Sequence, residues 1–263
     1  HSDTRVFEAF QFANRAMLLQ RSYGQWAQDY RQTGKRATKT PPLAGAWRPF
    51  QIAFILLNLA SIARPDSSER DIVDLLWFPT GGGKTEAYLG LIAFTIGLRR
   101  LRGTIDGMRG DGGVTVIMRY TLRLLTTQQF QRAATLICAC EYLRRQAPKQ
   151  WGEHPFQIGL WVGAGATPNN LKDAGEALDK LRGGSEVREG NPVQLSSCPW
   201  CGETLNHRHY HIDKDRERMV LVCPRPACTF HGTAKQPDKG IPALLVDDDI
   251  YHQCPTLLLA TAD

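Results

Sequence analysis

Residues 78–86, which read FPTGGGKTE, constrain the fold of this chain more than any other stretch. Three consecutive glycines lead into Lys84 and Thr85. Glycines allow a tight turn whose backbone N–H groups point inward, a lysine can reach the outer phosphates of a nucleotide, and a threonine hydroxyl can bind Mg²⁺. The stretch therefore predicts a phosphate-binding loop, or P-loop, at the start of a helix.

This stretch departs from the strict pattern G-x-x-x-x-G-K-[ST], because Phe78 stands where that pattern has its first glycine. The sequence on both sides still favours a P-loop. Residues 72–77 (IVDLLW) form an apolar run of strand length, and residues 86–101 are apolar almost all round, as in a helix buried against a parallel sheet. The alternative is an ordinary glycine-rich turn before a core helix.

Helical and strand patterns alternate along the rest of the chain. Helices are predicted within residues 4–31, from Pro49 onward, and at 86–101, 121–146 and 167–181. Strands are predicted at 72–77, 114–118 and 156–163, followed by late apolar runs at 241–248 and 255–263. This alternation after a P-loop predicts an α/β fold with a doubly wound parallel sheet. The basic residues of the connector 31–39 are expected to be solvated charges.

Composition bounds the class of protein. The chain has 263 residues, a formal net charge of +6 and a pI near 9.0, which favours a polyanionic partner. Its apolar stretches are too short for a membrane span, and it opens with neither methionine nor a signal peptide. We therefore expect a cytoplasmic protein without a membrane partner, cut from a longer chain.

Four of the seven cysteines have metal-ligand spacing. Cys198 and Cys201 form a C-x2-C pair, and Cys223 and Cys228 follow as C-x4-C, in turns that contain proline. Two such pairs predict a closed tetrahedral Zn²⁺ site of structural type, which we call the four-cysteine site. His231 is an alternative ligand. The remaining cysteines are expected to be plain thiols.

The histidines between the cysteine pairs leave two readings open. His207, His209 and His211 alternate as residues on one face of a strand do. They could form a second metal site or lie on a solvated strand face, and the solvated face is favoured.

Two further stretches suggest nucleotide and nucleic-acid contacts. Gln51 follows an Arg-Pro-Phe sequence upstream of the P-loop, and its amide could donate to and accept from an adenine edge, or be merely a polar helix residue. Arg119, Tyr120, Thr121 and Arg123 lie where a buried strand gives way to a long helix, a place where open α/β sheets bind ligands. These groups suit a phosphodiester backbone, the alternative being an arginine-capped strand end.

Several of these stretches together resemble one protein family. FPTGGGKTEAYLGL, MRYTLRLLTTQQFQRAA, GLWVGAGATPNN, the cysteine pairs and PTLLLATAD look like the DrmA family, the helicase-related subunits of bacterial DISARM anti-phage systems. The resemblance runs from about Trp47 to the end and is most specific over residues 119–132. It implies a superfamily 2 helicase with two RecA-like domains, which acts on DNA (single-stranded or with a single-stranded overhang) together with a DrmB-like subunit.

The resemblance also implies roles for particular residues. Lys84 and Thr85 would be the catalytic residues of the ATP site. The ATP- and Mg²⁺-binding set would be Gln51, Thr80, Gly81, Gly82, Gly83, Lys84, Thr85 and Glu86. The nucleic-acid contacts would be Arg119, Tyr120, Thr121, Arg123 and Gln128. Residues 1–45 would be a helical segment with a connector, 46–190 the first RecA-like domain, 191–240 a zinc-ribbon-like insertion, and 241–263 the continuation of that domain.

The late acidic run is a departure from the expected order of motifs. Asp247, Asp248 and Asp249 look like magnesium-binding carboxylates at a strand end, but the next apolar run follows too closely for a helix and crossover. We therefore expect that they are not those carboxylates and that the acidic box and the arginine finger lie beyond residue 263. Two rival functions stay open, a P-loop small-molecule kinase and an ATP-gated DNA-binding scaffold without motor activity.

Overall fold

The structure is a computed structural model, and it describes residues 3–79, 81–120, 123–163, 165–233, 236 and 239–261, with only the backbone for 123–127. Its helices are α1 (Thr4–Thr33), α2 (Pro49–Ala63), α3 (Lys84–Arg102), α4 (Arg123–Gln146), α5 (Pro148–Trp151), α6 (Leu171–Arg182) and α7 (Asp247–Gln253). Its strands are β1 (Val116–Tyr120), β2 (Ile158–Trp161), β3 (Tyr210–Asp213), β4 (Arg218–Leu221), β5 (Ala243–Leu244) and β6 (Leu257–Thr261).

The helix ends follow signals that are visible in the sequence. The side chain of Asp3 caps α1 by accepting from Arg5 N at 3.1 Å, and Gly34 ends the same helix in the left-handed region with φ 67°. Pro49 occupies the first turn of α2, where its missing N–H costs nothing. The predicted helices at 4–31, 86–101, 121–146 and 167–181 and from Pro49 are therefore confirmed, with shifts of a few residues at their ends.

A four-stranded sheet with the order β1-β6-β2-β5 lies at the centre of the fold. All three pairings are parallel, with Val116 opposite Leu257 and Ile158 opposite both Leu257 and Ala243. The leucines of β6 are almost wholly buried, as expected for a strand with a neighbour on each side. The prediction of an α/β fold with a parallel sheet is confirmed.

The strand predicted at residues 72–77 is wrong. A short 3₁₀ turn (Ser68–Asp71) precedes this run, and the run itself pairs with none of the described strands. Val73 is 93% exposed and Trp77 is 86% exposed. An apolar, β-prone run becomes a strand only where a partner strand satisfies its backbone and its side chains pack, and no such partner faces it among the described residues.

The expectation that no helix or crossover fits before the last strand is also wrong. Strand β5 ends at Leu244, which leaves residues 245–256 for the connection, and α7 occupies the middle of it. Strands β5 and β6 flank β2 on opposite sides, so the connection passes over a single strand. The expectation failed because it placed the end of the strand at the aspartates, several residues too late.

One continuous core joins the sheet, the long helices and the cysteine-containing segment. Helix α1 contributes Phe12, whose ring lies 4.3 Å from that of Trp151 and 5.8 Å from that of Phe156. Further along α1, Tyr23 stacks on Trp200 at 3.6 Å. Strands β3 and β4 form an antiparallel hairpin beside this core. None of the helices in the described part of the chain combines the length and the hydropathy needed to cross a bilayer.

Candidate functional site

The glycine turn before α3 has the backbone conformation that its sequence requires. Gly81 and Gly83 have φ values of 81° and 95°, in the left-handed region that favours glycine, and Gly83 is the N-cap of α3. Gly82 N donates to Pro79 O at 3.0 Å, and a Cβ on Gly82 would lie 2.9 Å from that same oxygen. Thr80 lies outside the described residues. The turn presents the amino end of a 19-residue helix, a favourable environment for an anion.

The start of α2 holds this turn in place. Gln51 is 5% exposed, its Nε2 donates to Gly83 O at 2.8 Å, and its Oε1 accepts from Arg48 N at 2.9 Å. Arg48 Nη1 donates to Gly82 O at 2.7 Å. A Cβ on Gly83 would lie 2.8 Å from Gln51 Nε2, so the contact requires glycine. Gln51 thus supports the glycine turn. The sequence had predicted only a contact of Gln51 with adenine and not this one.

Phe78 explains why the first glycine of the strict pattern can be absent. Its ring stacks on Phe50 of α2 at 3.8 Å with the planes 16° apart. Its carbonyl oxygen accepts a hydrogen bond from Lys84 Nζ. The side chain therefore fixes the entry to the turn from outside, and the turn itself is formed by the glycines that follow.

Arg132 is a residue of this site that the sequence reasoning missed. Its guanidinium forms an ion pair with Glu86 Oε1, which joins α4 to the first turn of α3. The other oxygen, Glu86 Oε2, is buried and has no hydrogen-bond partner among the described residues. The partners are 46 residues apart, and no local pattern marks such a pair.

Four of the predicted nucleic-acid residues lie at the end of β1 or the start of α4, namely Arg119, Tyr120, Arg123 and Gln128. Arg119 and Gln128 are exposed, and Tyr120 is half-buried, so that burial raises its pKa while the charge of Arg132 acts in the opposite sense. Thr121 lies outside the described residues, as does the side chain of Arg123, whose backbone begins α4. Arg119 pairs in register with Ala260, near the carboxyl end of the sheet.

A cavity of about 1010 Å³ adjoins the glycine turn without including it. Its walls are α1, the connector and α4. Gln51, Glu86 and Arg132 line one part of it, and Thr135 and Pro199 line another. The helices around the glycine turn therefore line a space that reaches towards the cysteine-containing segment.

The four predicted metal ligands come together. All four sulfur atoms lie within 4.8 Å of one another and all four residues are buried. Cys198 Sγ is 3.9 Å from Cys228 Sγ, and Cys201 Sγ is 3.5 Å from Cys223 Sγ. A tetrahedral zinc with Zn–S bonds of about 2.3 Å separates its sulfurs by about 3.8 Å, so the cluster is compatible with a structural metal such as zinc.

Backbone hydrogen bonds shape the turns that carry these sulfurs. Cys198 N donates to Glu203 O at 2.8 Å, and Gly202 N donates to Cys198 O at 2.9 Å. Hydrogen bonds from Cys198 and the other two thiols lower the pKa of Cys201, whereas burial raises that of Cys198.

The histidines near this cluster do not complete it. His231 Nδ1 lies 2.9 Å from Cys223 O, and its ring is not part of the sulfur cluster. His207 and His209 lie in a 3₁₀ turn (His207–His209), and only His211 lies in β3. The alternating strand face is therefore wrong for the first two, and the described residues hold no second cluster of metal-ligating side chains.

The connector is bound to the four-cysteine site. Arg36 Nη1 donates to Cys201 O at 2.7 Å, and Arg36 Nη2 forms an ion pair with Glu203 at 2.8 Å. The guanidinium lies 3.4 Å from the ring centroid of Tyr30, whose hydroxyl also donates to Glu203 at 3.1 Å. The expectation that the charges of 31–39 are merely solvated is wrong for Arg36, because a carboxylate and an aromatic ring are within reach.

The late aspartates lie in and around the first turn of α7. Asp249 is 1% exposed, its Oδ2 accepts from Met219 N at 2.8 Å, and burial raises its pKa to about 6. Asp247 is also buried, which raises its pKa. The carboxylate of Asp249 therefore tethers the β3–β4 hairpin to the segment that precedes β6.

Fold and site together define an α/β protein with a glycine turn at a helix N-terminus and a buried four-cysteine cluster. No family model matches the chain. The chain is 40% identical to the DISARM protein DrmA of Bacillus paralicheniformis over 268 residues, which cover 99% of this chain and 23% of that protein. The resemblance to DrmA that the sequence motifs indicated is thereby confirmed, and the chain spans about a quarter of the length of this relative.

Proposed function

We propose that this chain is the ATP-binding part of a superfamily 2 DNA helicase or translocase that acts in anti-phage defence within a DISARM system. The observation that carries the proposal is the glycine turn at the start of α3, with Lys84 and Thr85 in the first turn of the helix. The similarity to the DISARM protein DrmA supports the defence role. Assembly with further subunits, including a DrmB-like partner, is part of the same proposal.

In this proposal the glycine turn holds ATP. The backbone N–H groups of Gly81 and Gly83 and the amino end of α3 would face the phosphates, while the Gly82 N–H keeps its bond to Pro79 O. Lys84 would neutralise the outer phosphates, and Thr85 would bind Mg²⁺. Mg²⁺ would supply charge neutralisation between the outer phosphates. Gln51 would keep the turn in shape through Gly83 O, and its amide retains one N–H and one oxygen lone pair that could meet an adenine edge.

The same proposal gives the β1–α4 corner to the nucleic acid. Arg119, Tyr120, Thr121, Arg123 and Gln128 would contact DNA, mainly through its phosphates, because a translocase must step past every sequence. The four-cysteine site would hold structural Zn²⁺ and take no part in chemistry. The acidic box, the arginine finger and a second RecA-like domain would come from other parts of the full-length protein.

The test uses Lys84→Ala in the full-length protein, with Lys149→Ala as the control. Lys149 is an exposed lysine of α5, outside the glycine turn. Lys84→Ala should abolish DNA-stimulated ATP turnover while thermal unfolding stays unchanged, and Lys149→Ala should leave turnover in place. Retained turnover in Lys84→Ala would remove the glycine turn from the mechanism. ATP binding without any turnover in the wild type would favour the scaffold instead.

A further inference from the structure

Arg132 lies at the junction of the two sites of the proposed function. It belongs to α4, the helix that starts at the predicted nucleic-acid corner, and its side chain is 38% exposed. Its guanidinium pairs with Glu86, which is two residues beyond Lys84. An ion pair that is partly withdrawn from water is screened less than a surface pair, so this contact can hold α4 and α3 in a defined relation.

Glu86 carries the contact to the glycine turn. Its Oε2 would lie 3.3 Å from a Cβ placed on Gly83, and it is buried with no hydrogen-bond partner among the described residues. Gln51 reaches Gly83 from the other side. A change in the orientation of Glu86 therefore displaces atoms that are packed against the turn, next to Lys84.

Arg132 also acts on the nucleic-acid corner. Gln128 lies four residues earlier on the same helix, about one turn away. Tyr120, at the end of β1, is close enough for the charge of Arg132 to influence its hydroxyl. The guanidinium thus pairs with the carboxylate that adjoins the glycine turn and also acts electrostatically on Tyr120, a predicted contact of DNA.

We propose that Arg132 is the positioning residue that couples nucleic-acid binding at the β1–α4 corner to nucleotide binding at the glycine turn. Contact with DNA shifts α4, and the Arg132–Glu86 pair transmits the shift to the first turn of α3. The positions of the Lys84 and Thr85 side chains change as a result. The inference rests on the proposed function, because it assumes that DNA and ATP occupy these two places. Arg132 itself touches neither ligand.

The test measures coupling directly in the full-length protein. The affinity of a non-hydrolysable ATP analogue is measured with and without a single-stranded oligonucleotide, and the affinity of the oligonucleotide with and without the analogue. In the wild type each ligand should change the affinity of the other by the same factor, about tenfold for a typical coupling between two sites. In Arg132→Gln the factor should fall close to one, while each ligand alone binds within about twofold of wild type.

Two controls separate coupling from folding. Arg132→Lys keeps the charge and should retain part of the factor. Arg188→Gln removes an exposed arginine that pairs with Glu186 at the surface, and it should leave the factor unchanged. An unaltered factor in Arg132→Gln would overturn the inference, and so would an equal loss of affinity for both ligands with the factor preserved. If the wild type binds neither ligand, the proposed function fails, and this inference fails with it.

Discussion

Gly202 tests whether the four-cysteine site is docked on helix α1. Gly202 has φ 76°, and a Cβ at this position would lie 2.5 Å from Ala27 O and 2.9 Å from Ala27 Cα. The first distance would have to grow by about 0.9 Å to reach the 3.4 Å of an ordinary contact. These Ala27 atoms belong to the backbone of a 30-residue helix, so they cannot move away as the end of a flexible side chain would. Gly202→Ala should therefore push the turn and the helix apart.

The magnitude follows from two separate costs. A non-glycine residue in the left-handed region costs about 1–2 kcal/mol. Overpacking against a rigid neighbour adds about 1–3 kcal/mol. Gly107→Ala is the matched control, because Gly107 has φ 77° and nothing lies within 4 Å of its added Cβ. The excess cost of Gly202→Ala over Gly107→Ala is thus about 2 kcal/mol, which corresponds to roughly 30-fold in an opening equilibrium.

Hydrogen exchange measures this cost locally in the full-length protein. In Gly202→Ala the backbone amides around Ala27 and those of residues 198–205 should exchange roughly 30-fold faster than in the wild type. In Gly107→Ala faster exchange should be confined to the turn around residue 107. Unchanged protection around Ala27 in Gly202→Ala would refute the docking of the four-cysteine site on α1.

Four further predictions concern metal, connector, pH and nucleic acid. Metal analysis should find one zinc per chain at the four-cysteine site. Chelation should speed hydrogen exchange at this site and in the second half of α1. A metal-free protein with unchanged exchange would contradict the assignment of a structural zinc. Arg36→Ala should loosen the connector, seen as faster cleavage by trypsin near residues 35–46, whereas Arg188→Ala should not. Burial raises the pKa of Asp249 from 3.8 to about 6, so ionisation of this carboxyl lowers the free energy of unfolding by about 3 kcal/mol as pH rises from about 4 to 6. Asp249→Asn should flatten that part of the stability–pH curve, and an unchanged curve would refute the pKa shift. Arg119→Ala and Arg123→Ala should each weaken single-strand binding for all sequences alike and reduce the salt slope by roughly 0.7, with Lys35→Ala as the control.

Local signals in the sequence sufficed for most helices and for the metal ligands. Pro49 marks the start of α2, and the glycines before Lys84 mark the start of α3. The two cysteine pairs were found from spacing alone, because each pair is brought together by a short turn. These features depend on residues that are near one another along the chain, which is the range over which sequence patterns are informative.

Features that depend on distant partners could not be predicted in the same way. Residues 72–77 have the composition of a strand, but whether they form one is decided by a partner elsewhere in the sheet. Arg36 was assigned to a solvated connector because nothing near it in sequence indicates Glu203, 167 residues away. The Glu86–Arg132 pair was missed for the same reason. These three errors concern tertiary contacts, whereas the strand end before Asp247 and the turn at His207–His209 were misjudged locally.

The position of the N-terminal segment changes how its role is understood. The sequence suggested a separate helical segment with a solvated connector. In the structure Trp47 Nε1 donates to Asn14 Oδ1 of α1 at 2.7 Å. The Trp47 ring also packs on α3, where a Cβ added to Gly90 would lie 2.8 Å from the ring. The same segment binds the four-cysteine site through Arg36. One stretch of chain therefore packs on both the metal-binding turns and the helix of the glycine turn. Because packed helices transmit displacement, loss of a metal from the four-cysteine site should reach the glycine turn through α1 and the connector.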